Sequence, residues 1–416
     1  MTLSGRCRRG PVRWLGAFIA SCATGVGAQV AAPPTGTLSD PPEAAAGVDL
    51  KALPDAPPWR ANVVYKLDLL RLDRPRYTTG VGDLEAVLDL DAEQLFGWSA
   101  TTLRLHALSN QGGQPDARLA SLGGLSNLEV VKRSARLYAA WLSKDVAPGW
   151  NGLVGLYDLN SEFYVTDASS LLVHPAFGVG TEFGLSGRNG PSIFPNLSFG
   201  IRVRLQGDSG SYAQAALLDG VPGDPNHPGR TVVRLRRGDG VLAVGEAGWR
   251  DADAGSHWAV GAWGYSRTAP RVDGPGDRRS AGAYVLAQQL LAAGPAARTT
   301  AFVRAGVAEA AVNAVAFAAE AGVLFDKPFG AAGPAALSAG LATARPSGAQ
   351  RRLASRAGED LAGSETVLEV GVRWTIGRHW VVQPLWQHVW RPGARRGERA
   401  AVVGARLEWA LFSSPG

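Results

Sequence analysis

The chain has 416 residues, 46% of them hydrophobic, with 53 glycines, 13 tryptophans, two cysteines and a formal charge of +6. Both cysteines (Cys7, Cys22) and four of the arginines precede Ala28, with no acid among them, so cleavage there leaves 38 of the 42 bases against 36 acids. A chain cut at that point has no disulfide framework or thiol chemistry, and too little basic excess to argue for nucleic acid.

Residues 1–28 read as an export signal. Arg6, Arg8, Arg9 and Arg13 form a basic start, Trp14–Ala23 a short apolar core, and Val26-Gly27-Ala28 a small-x-small cleavage site. The core is too short to span a bilayer as a helix, which takes about 20 apolar residues. Ile19-Ala20-Ser21-Cys22 also resembles a lipoprotein box, so lipidation of Cys22 is the competing expectation. Residues 29–60, with Pro33, Pro34, Pro41, Pro42, Pro54, Pro57 and Pro58, read as a disordered Pro/Ala-rich leader. Residues 61–416 form the third unit.

From Val63 onward the dominant period is two. Val63, Tyr65, Leu67 and Leu69 alternate with Val64, Lys66, Asp68 and Leu70, and Leu84–Leu90 with Glu85–Asp91. Asp91–Leu95 reads as a brief helical turn, Gly112–Gly124 as a polar loop. Arg136–Lys144 (RLYAAWLSK) is helical by composition but stays open between helix and strand. The alternation from Ile193 to Gln206 predicts one extended strand, with Ile193, Pro195, Leu197, Phe199, Ile201, Val203 and Leu205 on its apolar face. Asp158, Asn160 and Glu162, at spacing two, read as a polar row backed by an outward wall of Tyr157, Leu159 and Phe163. Further on, Thr231–Arg236 and Val241–Arg250 flank Gly238-Asp239-Gly240, a hairpin signal. Near the C-terminus Thr366–Ile376, Trp380–Trp390 and Arg406–Leu411 alternate most clearly, and a row with Trp380, Trp386 and Trp390 suits a lipid-facing wall. Short turns alternate with long polar loops, as at the two ends of an outer-membrane barrel.

The runs GLYDLNSEF, HPAFGVG and SGRNGPSIFP, followed by a Gly-Ile-Arg-Val-Arg strand at 200–204, resemble the carbohydrate-selective porin family of OprB type. The likeness extends from Val63 to Phe412. Departures are a bare Trp59-Arg60 where the family carries a longer element, Leu385 in place of an acid, and a Ser-Ser-Pro-Gly tail after Phe412. The resemblance implies an all-β, transmembrane antiparallel β-barrel of 16 strands in the bacterial outer membrane. The implied function is passive diffusion of mono- or small oligosaccharides into the periplasm. It implies sugars as solutes, outer-membrane lipid and the barrel-assembly machinery as partners, and leaves a homo-oligomer open.

Catalysis finds little support. The six histidines share no metal-ligand spacing, and Gly184–Gly187 makes no nucleophile elbow. On one strand face Asp158 and Glu162 would stand about 13 Å apart, wider than glycosidase carboxylate pairs. No cofactor is expected. Alternation instead assigns Asp158, Asn160, Glu162, Arg202, Arg204, Arg304, Glu369, Arg373, Gln383, Gln387, Arg406 and Glu408 to a polar lumen, where such groups can bind sugar hydroxyls. Alternative readings are a general or differently selective porin and a secreted glycan-binding β-protein.

Overall fold

The computed structural model describes residues 57–251, 254–294, 297–328 and 335–413. The export signal and residues 29–56 of the leader lie outside the described residues. Sixteen strands follow: β1 Trp59–Leu72, β2 Tyr77–Asp91, β3 Thr101–Gly112, β4 Ala135–Ala147, β5 Trp150–Tyr157, β6 Ser198–Gln206, β7 Ser211–Asp219 and β8 Val241–Asp251. They continue as β9 Ser256–Pro270, β10 Asp277–Ala293, β11 Arg298–Ala308, β12 Val315–Asp326, β13 Ala336–Pro346, β14 Glu365–Ile376, β15 Trp380–Trp390 and β16 Arg399–Ser413. Each pairs antiparallel with its sequence neighbours, and β1 closes the barrel on β16, where Tyr65 faces Trp409.

The β1–β16 pairing leaves no edge strand, and alternation sorts the side chains to two faces. Ile201, Val203, Val285 and Val303 stand exposed on the outside, while Asp68, Glu369, Arg304 and Arg406 are buried on the inside. This is the reverse of a water-soluble protein, and it suits strands that face hydrocarbon. It removes the reading as a secreted glycan-binding protein. One end carries tight connections, Pro148-Gly149, residues 207–210 and residues 377–379. The other carries the long loops 113–134, 158–197, 220–240 and 347–364. Exposed tryptophans gather at the tight-turn end: Trp59, Trp150, Trp258, Trp374 and the stacked pair Trp380–Trp409, centroids 5.0 Å apart.

Several local expectations change. RLYAAWLSK, helical by composition and a strand by the family resemblance, lies in strand β4, and Tyr138 is the extra residue of a bulge: Leu137 pairs with Ala107, Ala139 with His106. A bulge flips the facing of every residue after it, which hides the period of two. The predicted strand from Ile193 begins only at Ser198. Ile193 and Leu197 are buried within the barrel rather than on its outer wall. Thr231–Arg236 pairs with no strand among the described residues. β8 instead pairs with Ser211–Asp219, and Gly220 N–H donates to Gly240 O at 3.1 Å where they meet. Asp91 does start a helix, Ala92–Phe96, its side chain accepting from the Glu93 and Gln94 amides.

Candidate functional site

Two long loops fold back into the barrel, and inward side chains from most of its circumference hold them there. The β5–β6 loop begins at Asp158, which accepts the Asn160 amide at 2.9 Å and caps the turn Leu159–Ser161, while Tyr138 O–H donates to its other oxygen. Glu162 is gripped by Arg202 through two bonds, Nε at 2.7 Å and Nη2 at 2.6 Å, and by the Tyr157 hydroxyl. Asn160 turns back to donate to Phe163 O at 3.2 Å. The three polar residues therefore share no strand face, and Tyr157, Leu159 and Phe163 are buried inside rather than forming an outward wall.

The remainder of the loop is clamped backbone-first. Arg304 on β11, 1% exposed, donates to the carbonyls of Tyr164 (3.0 Å), Ala176 (3.1 Å) and Gly178. Its Nε stands 3.5 Å from Glu320. Glu369 on β14 accepts the amides of Val173 (2.6 Å) and His174 (2.7 Å), with Gln387 donating to it at 3.1 Å. Gln383 donates to Leu171 O at 2.6 Å. The β3–β4 loop is held likewise: Gln387 donates to Leu125 O at 3.0 Å, and Glu365 accepts the Leu122 amide and the Ser121 hydroxyl. Arg406 grips Asp68 bidentately at 2.7 and 2.8 Å and also donates to Asn127, while Ser126 donates to Asp68 at 2.6 Å.

Alternation placed these charges inward but could not show what they hold. It also left out Glu246 on β8. That carboxylate accepts the Tyr164 amide (2.9 Å), the Tyr212 hydroxyl (2.9 Å), the Tyr284 hydroxyl (2.7 Å) and the Gln214 amide (2.9 Å). The signal was present: in VLAVGEAGWR, Glu246 shares parity with Leu242 and Val244, both buried. Aromatic faces complete the seat, with Tyr164 stacked on Tyr284 at 3.9 Å and Phe183 on Trp263 at 4.6 Å.

Burial governs the loop's own ionisable groups. Glu182 is pushed up to about 8 by desolvation, then by the charge of Glu320. Asp158 rises to about 6 through burial, and His174 falls to about 3 for the same reason. Not every inward charge is sealed. The Arg250–Asp167 pair (2.8 Å) keeps 26% and 28% of its side chains exposed. Arg104 and Arg373 each keep 19% while paired with Asp89 and Glu408. Arg204 lies over the Tyr212 ring at 4.7 Å and bonds Gln206 at 3.1 Å. These arginines all lie toward the tight-turn end of their strands, and Arg250 meets the seated loop at Asp167. Among the described residues no group of three His, Cys, Asp or Glu could hold a metal ion.

A closed antiparallel barrel, apolar outside and polar inside, with a long loop folded into its bore, is the architecture of an outer-membrane porin, a channel rather than an enzyme scaffold. Within that class the chain belongs to the carbohydrate-selective porin, OprB family, which matches residues 78–411. Its backbone is similar to the high-pH structure of Pseudomonas putida OprB: TM-score 0.72, 16% identity, covering 85% of this chain and 94% of that one. The low-pH structure of the same porin matches at TM-score 0.52 and 12% identity, covering 85% and 92%. The anion-selective porin from Comamonas acidovorans matches at TM-score 0.52 and 8% identity, covering 85% and 99%. No curated protein sequence matches this one. At these identities the likeness speaks for the fold.

Proposed function

We propose that this porin spans the bacterial outer membrane and passes neutral mono- and small oligosaccharides, and that its inward charges divide into two groups. Asp158, Asn160, Glu162, Arg202, Arg304, Glu369, Gln383, Gln387 and Arg406 set the bore by holding the loops. Arg204, Arg373 and Glu408, together with Arg104, Arg250 and Asp167, meet the solute. The observation that carries this reading is charge compensation around the incompletely buried arginines: Arg104–Asp89, Arg250–Asp167 and Arg373–Glu408 each pair a guanidinium with a carboxylate. Such pairs offer donors and acceptors to hydroxyls yet present little net field to an ion. A pair that keeps some contact with water binds weakly enough to let the sugar leave.

Planar-bilayer recording with sugars titrated in tests it. Glucose or a short glucose oligomer should reduce ionic current saturably, and Arg250→Gln with Asp167→Asn should weaken the block about tenfold, the loss of one charge-assisted bond. A wild-type current indifferent to every neutral sugar would sink the proposal. One observation favours a differently selective channel: Arg204 has amide partners but no carboxylate within ion-pair reach among the described residues. A strong anion preference in the reversal potential, abolished by Arg204→Gln, would decide for that reading.

A further inference from the structure

The two rims of the barrel differ in chemistry. The tight-turn rim is ringed with tryptophan, whereas at the long-loop rim the β7–β8 loop and the β9–β10 hairpin bring exposed arginines together. Arg237 and Arg267 touch, Arg267 Nη2 donating to Arg237 O. Thr268, next along β9, pairs across strands with Arg279, and Arg236 and Arg278 flank the group. All five arginines are exposed. Asp239 and Asp277 lie among them, yet none of the five forms an ion pair within 4.0 Å among the described residues; the neighbouring pairs use Arg234, Arg271 and Arg352 instead.

Two apolar features adjoin this patch. Val241, whose amide bonds Ser266 beside Arg267, begins an outward wall that continues through Val260 and Val285. The unpaired stretch Thr231–Arg236 holds Val233 and Leu235 out into the surroundings, 50% and 69% exposed, just before Arg236. Exposed guanidinium groups at the rim where this wall ends, with Val233 and Leu235 exposed in the same loop as Arg236 and Arg237, match an amphiphile that has phosphate next to acyl chain. A soluble phosphate would have no use for Val233 and Leu235.

We propose that this rim is a docking surface for a phosphorylated lipid of the leaflet at the long-loop end, with arginines on the phosphate and Val233, Leu235 and the wall below on the acyl chains. The inference rests on the outer-membrane placement of the barrel and not on which solute it passes.

Native mass spectrometry of the full barrel in detergent tests this, with bis-phosphorylated lipid A and its dephosphorylated counterpart as probes. Wild type should retain the phosphorylated lipid, and Arg236→Gln/Arg237→Gln/Arg279→Gln should weaken retention about tenfold or more. Val233→Ser/Leu235→Ser should weaken it as well. Equal retention of the two lipids, or equal retention by wild type and the arginine variant, would overturn the proposal and leave a solvated rim. Displacement by millimolar inorganic phosphate, with the Val233/Leu235 variant unaffected, would overturn it in favour of a soluble-anion site. A heat-dependent gel shift establishes that each variant is assembled, and unchanged sugar block separates failure here from failure of the solute reading.

Discussion

Most charged residues inside this barrel are fasteners, and a fastener responds to substitution differently from a solvated lumen group. Arg304 satisfies three loop carbonyls and faces Glu320 in a site without water access. Arg304→Met should therefore cost about 3–5 kcal/mol, because it strands a buried carboxylate. The readout is a lower temperature for the heat-dependent gel shift, with noisier single-channel current; an unchanged temperature would contradict the anchor role. Glu182 adds a pH dependence. Burial raises its folded value to about 8 from an ordinary 4.5, so the folded state favours the protonated acid. The stabilisation is complete below about pH 4.5 and fades as pH climbs toward 8. Thermal stability should fall across that window, and Glu182→Gln should flatten the fall relative to wild type.

Among the elements, the seated β5–β6 loop depends on missing side chains as much as on present ones. A Cβ at Gly306 on β11 would stand 1.8 Å from Glu182 Oε1, and one at Gly340 on β13 would stand 2.6 Å from Leu172 Cδ1. Gly306→Ala should push the loop off the wall and cost about 1–3 kcal/mol. Open-channel conductance should change with it; a variant with wild-type conductance and stability would refute the close seat. This part of the molecule was also the least legible in the sequence. Asp158, Asn160 and Glu162 mimic a strand because they are packed on both sides in a coiled turn, so polar and apolar residues alternate without any sheet. β7 carries a weak signal for the opposite reason: Ala213, Ala215 and Leu217 face outward while Ala216 and Leu218 face inward, leaving little contrast between faces. Where the faces differ sharply, as in β14–β16, parity was right residue by residue.

Over the whole molecule, the outer wall sets stability and the inner wall sets passage, and the two should separate on mutation. Val260→Arg, or Val285→Arg on the neighbouring strand, should destabilise the barrel by about 2–4 kcal/mol if near the midplane while leaving sugar block intact in assembled channels. Loss of block with unchanged stability would mean the walls are coupled. The strand count was not legible from periodicity, which cannot see β7 or the bulge in β4; it came with the family likeness. Finally, the clamps impose an order in time. The loop leaves the wall between β5 and β6, but its receptors sit on β8, β11, β14 and β15, while those of the preceding loop sit on β1, β14, β15 and β16. No partly threaded barrel can possess them all. Until the last strands arrive the bore must stay wide and hydrated, and only the finished circle can narrow itself, so an assembly intermediate trapped before β14 should leak solutes that the mature channel rejects.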